Sequence, residues 1–147
     1  MSKRKKNVEE FFSNYEAHFN KALSNEHITT EEMAQFFEDC FIESSPVGVI
    51  CGKNDEQFRT AIPQGYAFYR SIGISSMDIL SKEITVLDSY HAMVKVHWNS
   101  GFVKKDRSMG NTEFDVIYFL QTKEEHLKIF AYVTGDEQAA LKENGLI

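Results

Sequence analysis

The side chains able to do chemistry are thinly spread along this sequence of 147 residues. His91 and His97 lie six apart on one strand-like run, about 20 Å at roughly 3.3 Å per residue, too far to share a metal ion. Cys40 and Cys51 are the only cysteines, and neither has a histidine at ligand spacing. Two cysteines do not make a disulfide framework. Reduced thiols are expected, with Cys40 a small buried hydrophobe among Phe36, Phe37 and Phe41. No Gly-x-Ser-x-Gly elbow, phosphate loop or dinucleotide fingerprint occurs. Asp136 and Glu137 open a terminal helical stretch, where the dipole favours acids, and Lys104-Lys105-Asp106-Arg107 reads as a solvated turn. What remains is aromatic: twelve Phe, six Tyr and one Trp. Tyr hydroxyls and the Trp N–H need partners when buried, so this composition suits a mostly apolar pocket with few polar handles. Neither a cofactor nor a metal is expected.

The elements that must position these groups are legible in part. Residues 8–23 place Val8, Phe11, Phe12, Tyr15, Phe19, Ala22 and Leu23 at helical spacing, and 24–27 break the pattern. Thr29 or Thr30 caps a second helix, with Glu31 and Glu32 in its first turn and Met33, Phe36, Phe37, Cys40 and Phe41 as its stripe, ending near Ile42. Pro46, Gly48 and Gly52 punctuate a short strand and turn over 43–54. A third helical stretch starts at Asp55. Pro63 should break or kink it, since an internal proline costs roughly 3 kcal/mol, and Gly73 closes it. Residues 76–89, 91–104, 111–122 and 126–134 are rich in Val, Ile, Tyr, Phe and Thr and bounded by turn residues, so they read as four antiparallel strands in meander order. A short helix over 136–144 ends at Gly145. Helices first and strands after predict an α+β domain with helices on one face of a sheet.

Strand residues alternate sides. Phe114, Val116, Tyr118 and Leu120 share one side, and Asp115, Ile117 and Phe119 the other. In the last strand Leu127, Ile129, Ala131 and Val133 oppose Lys128, Phe130 and Tyr132. Both faces are therefore partly apolar, and the helices can cover only one. The other predicts a homodimer built on Ile117, Phe119, Phe130 and Tyr132, flanked by Met93, Lys95, His97 and Asp115. Charge excludes a further class. Removing the four positive residues Lys3, Arg4, Lys5 and Lys6 from a formal charge of −6 leaves −10 on residues 7–147. So acidic a body is a poor nucleic-acid binder. No run of 18 apolar residues spans a membrane, and the basic start is not followed by an apolar run, so it is no secretory signal. Residues 1–6 read as a disordered basic tail and 7–147 as a single cytoplasmic domain.

The order of these elements resembles the nuclear transport factor 2-like superfamily, which includes ketosteroid isomerases and SnoaL-like polyketide cyclases. Two stretches carry the likeness best: Ile42-Glu43-Ser44-Ser45-Pro46-Val47-Gly48, and Phe114-Asp115-Val116-Ile117-Tyr118 followed by Ile129-Phe130-Ala131-Tyr132. The resemblance implies a cone-shaped α+β barrel, with N-terminal helices packed on a curved antiparallel sheet over an apolar cavity. The lining would be Tyr15, Phe19, Phe36, Phe37, Cys40, Tyr66, Tyr69, Trp98 and Tyr118. It also implies where catalysis would sit. The isomerases use a carboxylate base just before the Pro-Val-Gly turn, a tyrosine on the first helix and a neutral acid on a later strand. Here the base position is Ser45, which cannot serve as a base alone. Glu43, two residues earlier on the same side, is the available replacement. Tyr118 falls on the acid position and can still donate to an oxyanion, and Tyr15, or by a slipped alignment His18 or Phe19, takes the helix-one position.

Three readings follow. The first is a small dimeric SnoaL-like domain binding an apolar or aromatic molecule. The second is an isomerase, cyclase or dehydratase (an isomerase or lyase) using Glu43 with Tyr15 or Tyr118. The third is a protein-interaction module with a collapsed cavity. The Ser45 substitution leaves catalysis open and favours the first.

Overall fold

The structure is a computed structural model that describes residues 2–24 and 29–147. The helix break expected at 24–27 falls, from Asn25 onward, outside the described residues. The first element, α1 (Lys3–Leu23), starts five residues earlier than the apolar spacing predicts. The Ser2 side chain accepts from the Lys5 amide and caps it. The basic stretch expected as a loose tail is therefore its first turn, and Arg4 donates to the Asp88 carbonyl. Val8, Phe12, Tyr15, Ala22 and Leu23 form its buried stripe.

The second helix corrects the sequence reading. α2 (Thr30–Ala34) is only five residues long, capped by Thr29, and the chain then enters β1 (Phe37–Ser45). Phe37, Cys40 and Phe41 are thus strand residues. Phe37 and Phe41 are four apart, a spacing that satisfies both the helical period and the two-residue strand period, so the pattern alone could not choose. Long-range pairing decides. β1 pairs antiparallel with β2 (Gly48–Lys53) and parallel with β6 (His126–Val133), so its backbone bonds are met on both sides.

α3 (Glu56–Ile72) runs through Pro63 as one helix, so of the expected break or kink the break does not occur. Both ends are firmly held. Asp55 accepts from Phe58 N–H, Arg59 pairs with Glu31 at 2.8 Å, and Arg70 donates to the Ala22 carbonyl at 2.7 Å. Gly73 closes it at φ 98°, where a Cβ would lie 2.1 Å from the Val103 carbonyl oxygen. Only glycine fits that approach.

The remaining strands match expectation closely: β3 (Ile74–Val86), β4 (His91–Val103) and β5 (Met109–Lys123), followed after β6 by α4 (Glu137–Glu143). The six strands lie in the order β2-β1-β6-β5-β4-β3 in one curved, open sheet. The barrel is not closed, and the sheet is mixed, because β1 runs parallel to β6. α1 lies across one face, and where it meets the sheet its own Phe12 and the strand residues Val94, Val96, Trp98, Leu120 and Ile129 are almost fully buried. Each such side chain contributes about 1.5–3 kcal/mol.

Candidate functional site

Between α1, the inner sheet face and α4 lies a cavity of about 290 Å³. α1 sends in Tyr15 and Phe19; β1 sends Phe37 and Glu43; α3 sends Tyr69; β4 and β5 send Trp98, Ser100, Phe114, Val116 and Tyr118; β6 sends Tyr132. The chain after β6, with Asp136, Glu137, Ala140 and Leu141, supplies a further wall.

At the deep end the groups form a buried polar cluster. The Trp98 indole N–H donates to the Tyr118 hydroxyl at 3.1 Å. The Tyr15 and Tyr118 ring centroids are 6.1 Å apart. Burial pushes the Tyr15 phenol up to about 12, partly offset by the Tyr118 hydroxyl beside it. Burial also lifts Tyr118 well above the ordinary tyrosine range, as does the neighbouring Tyr15. Both are held as neutral O–H donors at any physiological pH.

A second polar group is acidic. The Tyr69 hydroxyl donates to both Glu137 carboxylate oxygens at 3.0 Å. Desolvation raises Glu137 above the usual carboxylate range; the Tyr69 hydrogen bond opposes that rise, and the Glu43 charge adds to it. Although Glu137 is exposed by surface area, its carboxylate lines the cavity. Tyr132 is likewise raised, first by burial and then by Glu43.

Of the nine side chains expected to line the cavity, Tyr15, Phe19, Phe37, Tyr69, Trp98 and Tyr118 do so, as does Glu43. Phe36, Cys40 and Tyr66 do not. Phe36 instead packs on Phe11 and Tyr15, with ring centroids 5.5 and 5.2 Å away. Tyr66 packs edge-on to Phe19 at 5.2 Å. Cys40 is exposed, because β1 is a strand and the side chain points away from the aromatic core. Strict alternation places Tyr132 on the outer face, and the structure places it inside. The register shifts between Phe119 and Leu120, which pair with Ala131 and Ile129, so Phe130 is an extra residue and parity reverses. A bulge of this kind leaves no mark on a strict alternation. Glu137 was missed as well, since its place at a helix start already explained an acid there. Its Tyr69 partner is 68 residues away.

Apart from Tyr132, the outer face holds the groups expected there. His97 bridges Asp115 and Glu113, each at 2.7 Å. Phe119 and Phe130 lie 6.1 Å apart. Among the described residues there is no cluster of three metal-ligating side chains, and no helix is long and apolar enough to cross a membrane.

Comparison with solved structures finds the same fold at low identity. A ketosteroid isomerase-like protein from Erwinia carotovora is 13% identical with a TM-score of 0.65, over 92% of this chain and 97% of that one. A scytalone dehydratase-like protein from Novosphingobium aromaticivorans is 15% identical at 0.66, over 88% and 81%. An NTF2-like protein with a cystatin-like fold, from the same organism, is 10% identical at 0.68, over 97% and 88%. No curated protein matches the sequence. The sequence profile of the NTF2-like protein family DUF6841 matches residues 4–137, and the chain belongs to that family.

Proposed function

We propose that this domain binds a small apolar or aromatic molecule in the cavity between α1, the sheet and α4. The observation that carries this reading is the cavity itself, ringed by Phe, Tyr and Trp side chains with polar groups at only a few points. Mostly apolar walls with a few fixed polar groups are what small-molecule sites share. A cavity of about 290 Å³ also argues against the interaction module with a collapsed interior. A thermal-shift panel of ring compounds tests the reading. Stabilisation by at least one neutral aromatic, weakened in Trp98→Phe, supports it; no stabilisation by any member rejects it. Native mass spectrometry of protein purified without denaturant should show a small-molecule adduct.

A second reading has its own support. Carboxylates (Glu43, Glu137) and neutral tyrosine donors (Tyr15, Tyr118) line one cavity. Proton abstraction next to a carbonyl, with the developing oxyanion held by tyrosine O–H groups, requires that combination. In this reading Glu43 is the base and the enzyme an isomerase, cyclase or dehydratase. Once a turnover is found, an unchanged rate in Glu43→Gln excludes this base. The position before Pro46 does not supply one, because the Ser45 hydroxyl accepts from the Val47 amide in the hairpin turn.

The homodimer remains our reading of the outer face. Its support is the register, which aligns Ile42, Ala131, Phe119 and Met93 in one row and Val49, Ser44, Val133 and Ile117 in the next. Ile42, Val49 and Val133 are exposed in the single chain. Sedimentation showing a monomer at micromolar concentration rejects it. The exposed, unpaired thiols Cys40 and Cys51 suit a reducing compartment such as the cytoplasm.

A further inference from the structure

We propose that the cavity selects an amine: an aromatic or alicyclic body carrying an ammonium group, and not the corresponding carboxylate. This rests on the reading of the cavity as a small-molecule site and names the class of molecule it takes. The charges that line the cavity are of one sign. Glu43, Asp136 and Glu137 are on its wall, and among the described residues that line it there is no Lys, Arg or His. Lys104 sits 6.0 Å from the ring centroid of Phe102, which lines the cavity, but is not itself on the wall. An anionic ligand would bring a further negative charge to this wall, with no cation there to receive it.

The acids differ in what already satisfies them. The Asp136 carboxylate accepts from the Ala139 amide and is committed to capping α4. Glu137 has the Tyr69 hydroxyl, and Glu43 faces Tyr132. Neither glutamate is paired with a cation among the described residues, and the Glu43 charge raises the cost of ionising Glu137. An ammonium placed between them would relieve that repulsion with charge-assisted hydrogen bonds. Tyr69 and Tyr132 are aromatic faces on the same wall, and such faces attract cations.

Tyr15 is 8% exposed and lines the cavity. Its hydroxyl lies beside that of Tyr118, which in turn accepts from the Trp98 indole. The cavity therefore offers carboxylate acceptors for a cation, phenol hydroxyls and aromatic rings around one space.

Isothermal titration of the full chain with tryptamine, indole-3-ethanol and indole-3-acetate tests this, because the three share a ring and differ in charge. Tryptamine should bind about tenfold or more tighter than indole-3-acetate, the scale of a charge-assisted hydrogen bond, with the alcohol between. In Glu43→Gln and Glu137→Gln the ratio of amine to alcohol affinity should fall; folding of each variant is checked by circular dichroism. Raised salt should weaken tryptamine and leave the alcohol unmoved. If the alcohol binds and the acid equals or exceeds the amine, the selectivity is overturned while the small-molecule reading stands. If none of the three binds, and no neutral ring compound stabilises the fold, both are overturned.

Discussion

The two faces of the sheet are built from the same strands and have opposite fates. Along β4, Ala92, Val94, Val96, Trp98, Ser100 and Phe102 are buried, while Met93, Lys95 and His97 between them are open or half-open. The inner side is closed by α1, and the phenols beneath it, Tyr15 and Tyr118, are buried and held neutral. On the outer side the groups are charged and solvated, as in the His97 bridge to Asp115 and Glu113. The lesson is that alternation sets which side a residue faces, but the helix above decides what chemistry that side can hold. A phenol under α1 becomes a fixed donor. A histidine on the open face stays a titrating group in water, raised by the carboxylates beside it.

Substitutions on the two faces should therefore differ most in stability. Phe12→Ala, on the side of α1 that packs against the sheet, should cost about 3–5 kcal/mol in denaturant unfolding, whereas Lys95→Ala on the outer face should fall within about 0.5 kcal/mol. Equal losses would show that the inner face is not the core. Next in size is Gly73→Ala, at the joint that sets α3 against β4. Its φ of 98° and the Val103 carbonyl in the way predict a loss of about 1–3 kcal/mol.

A smaller effect sharpens the contrast through pH. Desolvation and the Glu43 charge hold Glu137 above its unfolded value despite the Tyr69 hydrogen bond. The folded state then binds the extra proton, so stability falls as pH rises through the carboxylate range. Thermal melts of Glu137→Gln against the parent should show the variant gaining relative Tm between about pH 4 and pH 7. A constant difference would remove Glu137 from the desolvated wall. The smallest effect lies outside. Glu113 and then Asp115 raise His97 above its ordinary value, so its ion pairing stabilises fully below the ordinary value and is lost as pH rises through the raised one. An NMR titration should find His97 above about 6.5, returning toward that value in Glu113→Gln.

The same contrast explains what could be read beforehand. The meander of β3 to β6 was legible because alternation, β-branched residues and short turns agree there. The aromatic set on α1 and β4 was legible too, since Tyr15 and Trp98 fall on clean periods. Legibility failed where two signals coincided or a distant contact ruled. Phe37 and Phe41 fit helix and strand alike, and only pairing with β6 made the segment a strand. The extra residue at Phe130 sent Tyr132 inward against the pattern. Glu137 looked like a capping acid until the fold brought it to Tyr69.

Trp98 is the only tryptophan in the chain, and its indole N–H sits on the cavity wall, bonded to Tyr118. Its single indole resonance in a ¹⁵N–¹H correlation spectrum therefore reports on the cavity directly. Titration with a neutral ring compound should move that resonance saturably while the Lys95 amide on the outer face stays fixed. An indole resonance unmoved by every ring compound tried, or one moving only in step with the outer-face amides, would contradict a ligand-binding interior.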